Sequence, residues 1–353
     1  MTGTDFYVKP ETTPAMAEYY QRLAKLNAGP LWEVLAELVP KEPKTPVKAA
    51  HWRFDEMRPM ILEAGALISE KDAERRVLIL ENPRLKGSSC ITETLYAGMQ
   101  LVLPGEVAPT HRHTASALRF VLESKGGYPA VDGERTTMHT GDFIVTPSWT
   151  YHDHGNTSDA PVIWLDVLDA PMVNILETGF AEHHPQHIQP VTKKDGDAQA
   201  RFGANMLPVD FKLERQATPL FNYPYSRSRE TLDQLYKNGP VHPSHGVKIR
   251  FINPANGGPP MPMIQTFMQY FPKGFRGEAY RGTDATIYCV IEGTGQSVIG
   301  GETIRWKERD VFVVPSWHPV SHQPDGEAVL FSASDRPIHQ AFGLWREQVP
   351  AVL

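Results

Sequence analysis

The stretches GEVAPTHRHTASALRFVLE (Gly105–Glu123) and GDFIVTPSWTYHDHGN (Gly141–Asn156) decide how this chain is read. His111 and His113 are two positions apart, so on a β-strand both imidazoles point to one face. His152 follows a proline-containing turn after a neighbouring apolar run, which lets three imidazoles converge inside a single antiparallel barrel while leaving other coordination positions open. A His-x-His pair alone is more often a satisfied core or surface pair. The fixed spacing of Gly105, His111, His113, Gly141, Pro147, His152 and Asn156 turns the reading toward a metal site with His111, His113 and His152 as ligands.

Parity extends the site. His111, His113, Ala115, Ala117 and Arg119 share one strand face, so Arg119 is expected beside the metal, the plain alternative being an arginine turned outward to a surface carboxylate. His154 shares the inward direction of His152 and is suited to hydrogen-bond a ring hydroxyl or exchange a proton, the alternative being a bond to nearby backbone. Tyr96 and Gln100 line one face of the preceding strand, and Asp166 sits on the run Val162–Val167, all as candidate polar walls. No carboxylate follows the second histidine, where Ala117 and Leu118 stand. A neutral three-histidine set leaves the full 2+ charge on the ion and favours a substrate that brings a carboxylate and an adjacent phenolate, with one position left for O₂.

The plan occurs twice. FIVTPSW (Phe143–Trp149) and VFVVPSW (Val311–Trp317) each follow an aspartate, Asp142 and Asp310, and Gly105 and Gly274 keep nearly the same offset of about 168–169 residues, the mark of a duplicated domain. In the second copy Tyr280, Gly282 and Val320 stand at the three ligand positions, so the second barrel is expected to pack, assemble or close a pocket. The fold expected is mainly β: two antiparallel jelly-roll barrels with an N-terminal helical segment and a partly helical connector. The divisions are 1–76 (helical cover, with helices over Pro14–Val39 and a further one within Trp52–Ile68), 77–170 (first barrel), 171–246 (connector, with a helix near Arg229–Lys237), 247–335 (second barrel) and 336–353 (arm, helix-like over Gln340–Gln348). His183, His184 and His187 read as a solvated loop, and His51 as a histidine without a constellation.

A chain of 353 residues suits two domains. With 35 basic against 41 acidic residues and no basic block, nucleic acid and anionic membranes are not expected partners. The beginning of the sequence lacks a basic-then-apolar leader and no run is long enough to span a bilayer, so a cytoplasmic location is expected. The two cysteines, Cys90 and Cys289, are expected as buried free thiols in strand-like sequence.

The motifs above match those of the cupin superfamily, and the chain more closely resembles the gentisate 1,2-dioxygenases with their salicylate and 1-hydroxy-2-naphthoate relatives. The likeness covers nearly the whole chain and includes HWRFDEMRP (His51–Pro59) and ERRVLILENP (Glu74–Pro83), which a generic cupin would not share. The resemblance implies a bicupin, commonly tetrameric, with one Fe(II) on His111, His113 and His152. It also implies that Arg119, His154, Gln100, Tyr96, Asp166 and Arg75 hold a small aromatic hydroxy-acid and O₂; Arg75 enters on this ground alone. The implied reaction opens gentisate (2,5-dihydroxybenzoate) to maleylpyruvate. Salicylate or 1-hydroxy-2-naphthoate cleavage, a non-oxidative metal cupin and a ligand-binding bicupin are the rival readings.

Overall fold

A computed structural model describes residues 9–349. Among the described residues, 9–45 belong to one compact unit and 46–349 to another. The first unit carries the helices Pro14–Ala24, started by a Thr13 side chain that accepts from the Met16 N–H, and Leu31–Leu38. The sequence pattern placed both.

The second unit holds two barrels built alike. In the first, one sheet runs Asn222–Tyr223, Phe143–Thr146, Ala117–Glu123, Val162–Leu168, Tyr96–Val102, Arg76–Ile79, and faces a sheet of Ala181–His183, Val107–His113, His152–Asn156, Gly127–Val131 and Glu134–Arg135. In the second, Ala50–Trp52, Val311–Val314, Thr286–Glu292, Ala328–Ser334, Gln265–Phe271 and Val247–Arg250 face Glu302–Trp306, Gly295–Ile299 and Val320–Pro324. Alternation divides each large sheet. Leu118, Phe120, Leu122, Leu165 and Val167 of the first join Met268, Tyr270, Ile287, Phe331 and Ala333 of the second in one core between the barrels. Phe120 stacks on Phe331 with centroids 4.2 Å apart. The intervening positions of each strand, Arg119 and Asp166 among them, therefore face into their own barrel.

The duplication includes more than the barrels, and the flanking pieces are exchanged. Ala50–Trp52 precedes the first barrel yet pairs with Val311–Val313 of the second. Asn222–Tyr223 precedes the second barrel yet pairs with Phe143–Ile144 of the first. Each short strand leads into a 14-residue helix, Phe54–Leu67 or Tyr225–Asn238. The N–H that opens each helix donates to the aspartate preceding the other copy's PSW motif: Phe54 to Asp310 Oδ1 at 2.8 Å, Tyr225 to Asp142 Oδ1 at 2.9 Å. An anionic acceptor suits an unpaired helix-start N–H. His51, read as a histidine without a constellation, meets Asp310 Oδ2 at 2.9 Å and is part of this docking.

Two further expectations need correction. Cys90 is half-buried in a loop, its thiol directed at the Ser88 carbonyl, whereas Cys289 is buried in a strand as expected; both are free. The final helix is Arg336–Ala341, with Pro337 in its first turn, and Glu347–Gln348 is a strand paired with Arg281–Gly282.

Candidate active site

Three local devices aim the imidazoles. Gly105, at φ +80°, turns the chain into the ligand strand and donates to the Asn156 carbonyl at 2.9 Å. The Asn156 Nδ2 in turn donates to the Val102 and Ala160 carbonyls, which explains both ends of the motif. Trp149 of the PSW turn lies at φ +58° and its N–H donates to the His113 carbonyl at 2.8 Å, latching the turn onto the ligand strand. His111 pairs directly with His152, and a register shift between Ala108 and His111 brings the strand into that alignment.

The ring centroids of His111, His113 and His152 are 4.3–5.2 Å apart, and one nitrogen from each lies within 4.8 Å of the others. His113 Nδ1 faces the Ala115 carbonyl at 2.7 Å and His152 Nδ1 the Thr150 carbonyl at 2.9 Å. A carbonyl only accepts, so each Nδ1 carries the proton and each Nε2 keeps its lone pair. His152 Nε2 is buried without a partner. Burial first, then the nearby cations and imidazoles, lowers the pKa of all three, that of His111 to about 2, so the rings are neutral as metal ligation requires. The donor set, its convergence and the orphaned nitrogen fit a divalent ion. Among the described residues this is the one such group of histidine, cysteine and carboxylate side chains.

The structure brings the other sequence-chosen residues to the same barrel interior. Arg119 is buried, its Nη1 donates to the Thr146 hydroxyl at 2.5 Å, and its Nε lies 3.5 Å from Asp166 Oδ1. Neither that Nε nor that oxygen makes a proper hydrogen bond. The pair is loose, so burial outweighs mutual attraction: the Arg119 pKa is lowered and that of Asp166 raised to about 6. His154 is fully buried, set edge-on to Trp164 at 5.4 Å, with both ring nitrogens unpartnered. Gln100 is buried opposite Trp164, and the Tyr96 hydroxyl lies over Gly98, where a Cβ would stand 2.8 Å from it.

Arg75 reaches the site from a turn in which Glu74 has φ +53°. Its Nη2 donates to the Pro109 carbonyl at 2.6 Å and contacts His111 Nδ1. Burial and Arg119 lower its pKa to about 10. Parity missed Thr146 and Trp164. Thr146 was legible as the inward hydroxyl of the FIVT run, and Trp164 as the residue two before Asp166 on the same strand face, although a tryptophan among apolar neighbours reads first as core. A cavity of about 460 Å³ between connector and Asp132 hairpin, lined in part by Phe202, Arg215 and Phe221, contains none of the three histidines. His183, expected in a loop, instead ends an edge strand of the first barrel, paired with His111 yet exposed; His184 and His187 follow it, half-buried and exposed.

Paired jelly-roll barrels, one of them closing on three neutral imidazoles, define a bicupin with a site fitted to a metal ion. The family model described as "Cupin domain" matches residues 98–168. A gentisate 1,2-dioxygenase of Aquipseudomonas alcaligenes is 54% identical over 97% of this chain and 99% of its own length. A 5-aminosalicylate 1,2-dioxygenase of Comamonas sp. is 36% identical over 94% and 90%. The solved structure of salicylate 1,2-dioxygenase from Pseudoaminobacter salicylatoxidans as an adduct with gentisate superposes with a TM-score of 0.92 at 31% identity, covering 99% of this chain and 98% of that one. The chain belongs to the gentisate 1,2-dioxygenase family of ring-cleaving enzymes.

Proposed function

We propose that this protein is an Fe(II)- and O₂-dependent gentisate 1,2-dioxygenase. It opens 2,5-dihydroxybenzoate between the carboxyl-bearing carbon and its hydroxylated neighbour to give maleylpyruvate. The observation that carries this reading is the meeting, in one barrel, of three neutral imidazoles with a buried arginine whose Nε makes no hydrogen bond and a buried histidine whose ring nitrogens make none either.

Fe(II) held by His111, His113 and His152 would supply the redox chemistry that joins O₂ to the ring. The rest falls to the chain. Arg119, with a spare donor in a low-dielectric interior, binds the carboxylate or the adjacent phenolate, and Thr146 and Asp166 hold its plane. His154 orients a ring hydroxyl and accepts or returns its proton, Trp164 fixing the imidazole edge-on. Gln100 and Tyr96 complete the wall, and Arg75 adds positive charge behind His111. The apolar packing around these groups keeps water from competing for them.

The test is an aerobic assay of the Fe(II)-reconstituted protein with gentisate, 5-aminosalicylate, salicylate and 1-hydroxy-2-naphthoate, following O₂ uptake and the ring-opened enol. Gentisate is expected to give the highest kcat/KM; turnover without O₂ consumption overturns the reading. The enzyme is read as cytoplasmic and homotetrameric, the latter checked by light scattering of the eluted protein.

A further inference from the structure

The second barrel has lost the ligand set but has not become an apolar plug. Tyr280 takes the place of His111 and bridges Val320, in the place of His152, and its hydroxyl bonds that of Tyr288, the residue in the place of Arg119, at 2.7 Å. Two polar positions of the first barrel persist: Gln269 pairs within its sheet as Gln100 does, and His322 lies where the register puts His154. Gln269 is fully buried and both its amide oxygen and nitrogen lack partners. It shares a strand face with Phe271, which lies 5.3 Å from the His322 ring, so it points into the barrel.

The His322 tautomer is fixed by its neighbours. Trp306 Nε1 donates to the Ser297 hydroxyl at 2.9 Å, and that hydroxyl's own proton goes to the neighbouring acceptor, His322 Nδ1, at 2.8 Å. His322 Nε2 therefore carries a hydrogen, and it is buried without an acceptor. Beside Gln269 in register stands Lys248, whose flanking residues Val247 and Ile249 join the core between the barrels, leaving the lysine to face inward. Its ammonium lies 4.6 Å from the Phe267 ring centroid and 6.0 Å from that of Tyr280, and among the described residues no carboxylate pairs with it. The nearby Asp284 is engaged by Arg336 at 3.2 Å and Ser334 at 2.5 Å. Lys248 is half-buried, and burial and Arg336 outweigh the opposing pull of Asp284 and Glu347 to bring its pKa down to about 7.

We propose that the second barrel is a binding site for a small organic carboxylate, held by Lys248, the Gln269 amide and the His322 Nε2–H. Water could satisfy the amide and the imidazole, whereas a carboxylate can also pair with the ammonium. Phe267 and Tyr280 flank the ammonium and suit a flat, partly apolar acid.

The experiment is anaerobic calorimetric titration of the Fe(II)-loaded enzyme, as wild type, Lys248→Met and Gln269→Leu, with acetate and with benzoate, alongside inhibition of gentisate turnover to report occupancy of the first barrel. The expected result is a saturable wild-type site for at least one acid, weakened tenfold or more in both variants, whose kcat and KM for gentisate are unchanged. Binding that is accounted for by competition with gentisate and is equally strong in the variants overturns the proposal, as does no binding of either acid. If Lys248→Met does not fold, Gln269→Leu, which leaves the charge in place, decides alone.

Discussion

At the scale of single residues, the reading turns on which side chains project into the first barrel. Strand parity found Arg119, His154, Gln100 and Asp166 because each lies within a regular strand, where period two is enough. Arg75 was beyond it, since a turn at Glu74 with positive φ, not strand alternation, sends that guanidinium inward. Arg119→Met is expected to lower kcat/KM for gentisate about 10- to 150-fold, the equivalent of ~1.5–3 kcal/mol for a charged hydrogen bond. Thr146→Val removes the acceptor that fixes Nη1 while leaving the charge free to bind substrate, so a smaller loss of roughly 3- to 10-fold is expected. Steady-state kinetics of the two variants at equal iron content checks both. His113→Ala should lose bound iron altogether, and wild type stripped by a chelator should recover activity with Fe(II), whereas the variant should not.

At the scale of elements, the sequence showed that two barrels exist but not which flanking segment serves which barrel. Ala50–Trp52 and Asn222–Tyr223 are too short to carry a period, and their exchange is a long-range pairing that no local pattern records. The paired aspartates before the PSW motifs were visible as a repeat, yet their partners, Phe54 and Tyr225, could be named only from coordinates. Asp310→Ala strands the Phe54 N–H and frees His51, so it should cost about 1–3 kcal/mol of stability. Denaturant unfolding should show this as a shifted midpoint with the slope unchanged. A second aspartate sets a pH dependence. Asp169 accepts from the Ser116 N–H at 2.7 Å, but burial raises its pKa to about 7. The folded state therefore binds the proton more tightly than the unfolded chain, and this group's contribution to stability is full below about pH 4 and is lost as pH rises toward 7. Asp169→Asn should flatten that fall, seen as a wild-type-minus-variant stability difference that is larger at about pH 5 than at about pH 8.

At the scale of the whole molecule, the core between the barrels and the exchanged strand-helix pieces make each barrel incomplete without the other. Phe331 of the second barrel stacks on Phe120 and lies 5.6 Å from Phe143, both of the first and all three buried. One ring thus packs against the outer face of the very sheet whose inner face presents Arg119. Phe331→Ala opens a cavity in that shared core and is expected to cost about 3–5 kcal/mol, the range for deleting a buried aromatic. Since the lost contacts belong to both barrels, the loss should not appear as early melting of the second barrel alone. Calorimetry should show one transition for the residues from Pro46 onward, moved to lower temperature, with iron release from the first barrel following the same curve. Two separated transitions, the lower one leaving the iron in place, would mean that the barrels are stable independently and that the exchanged segments serve only to tether them.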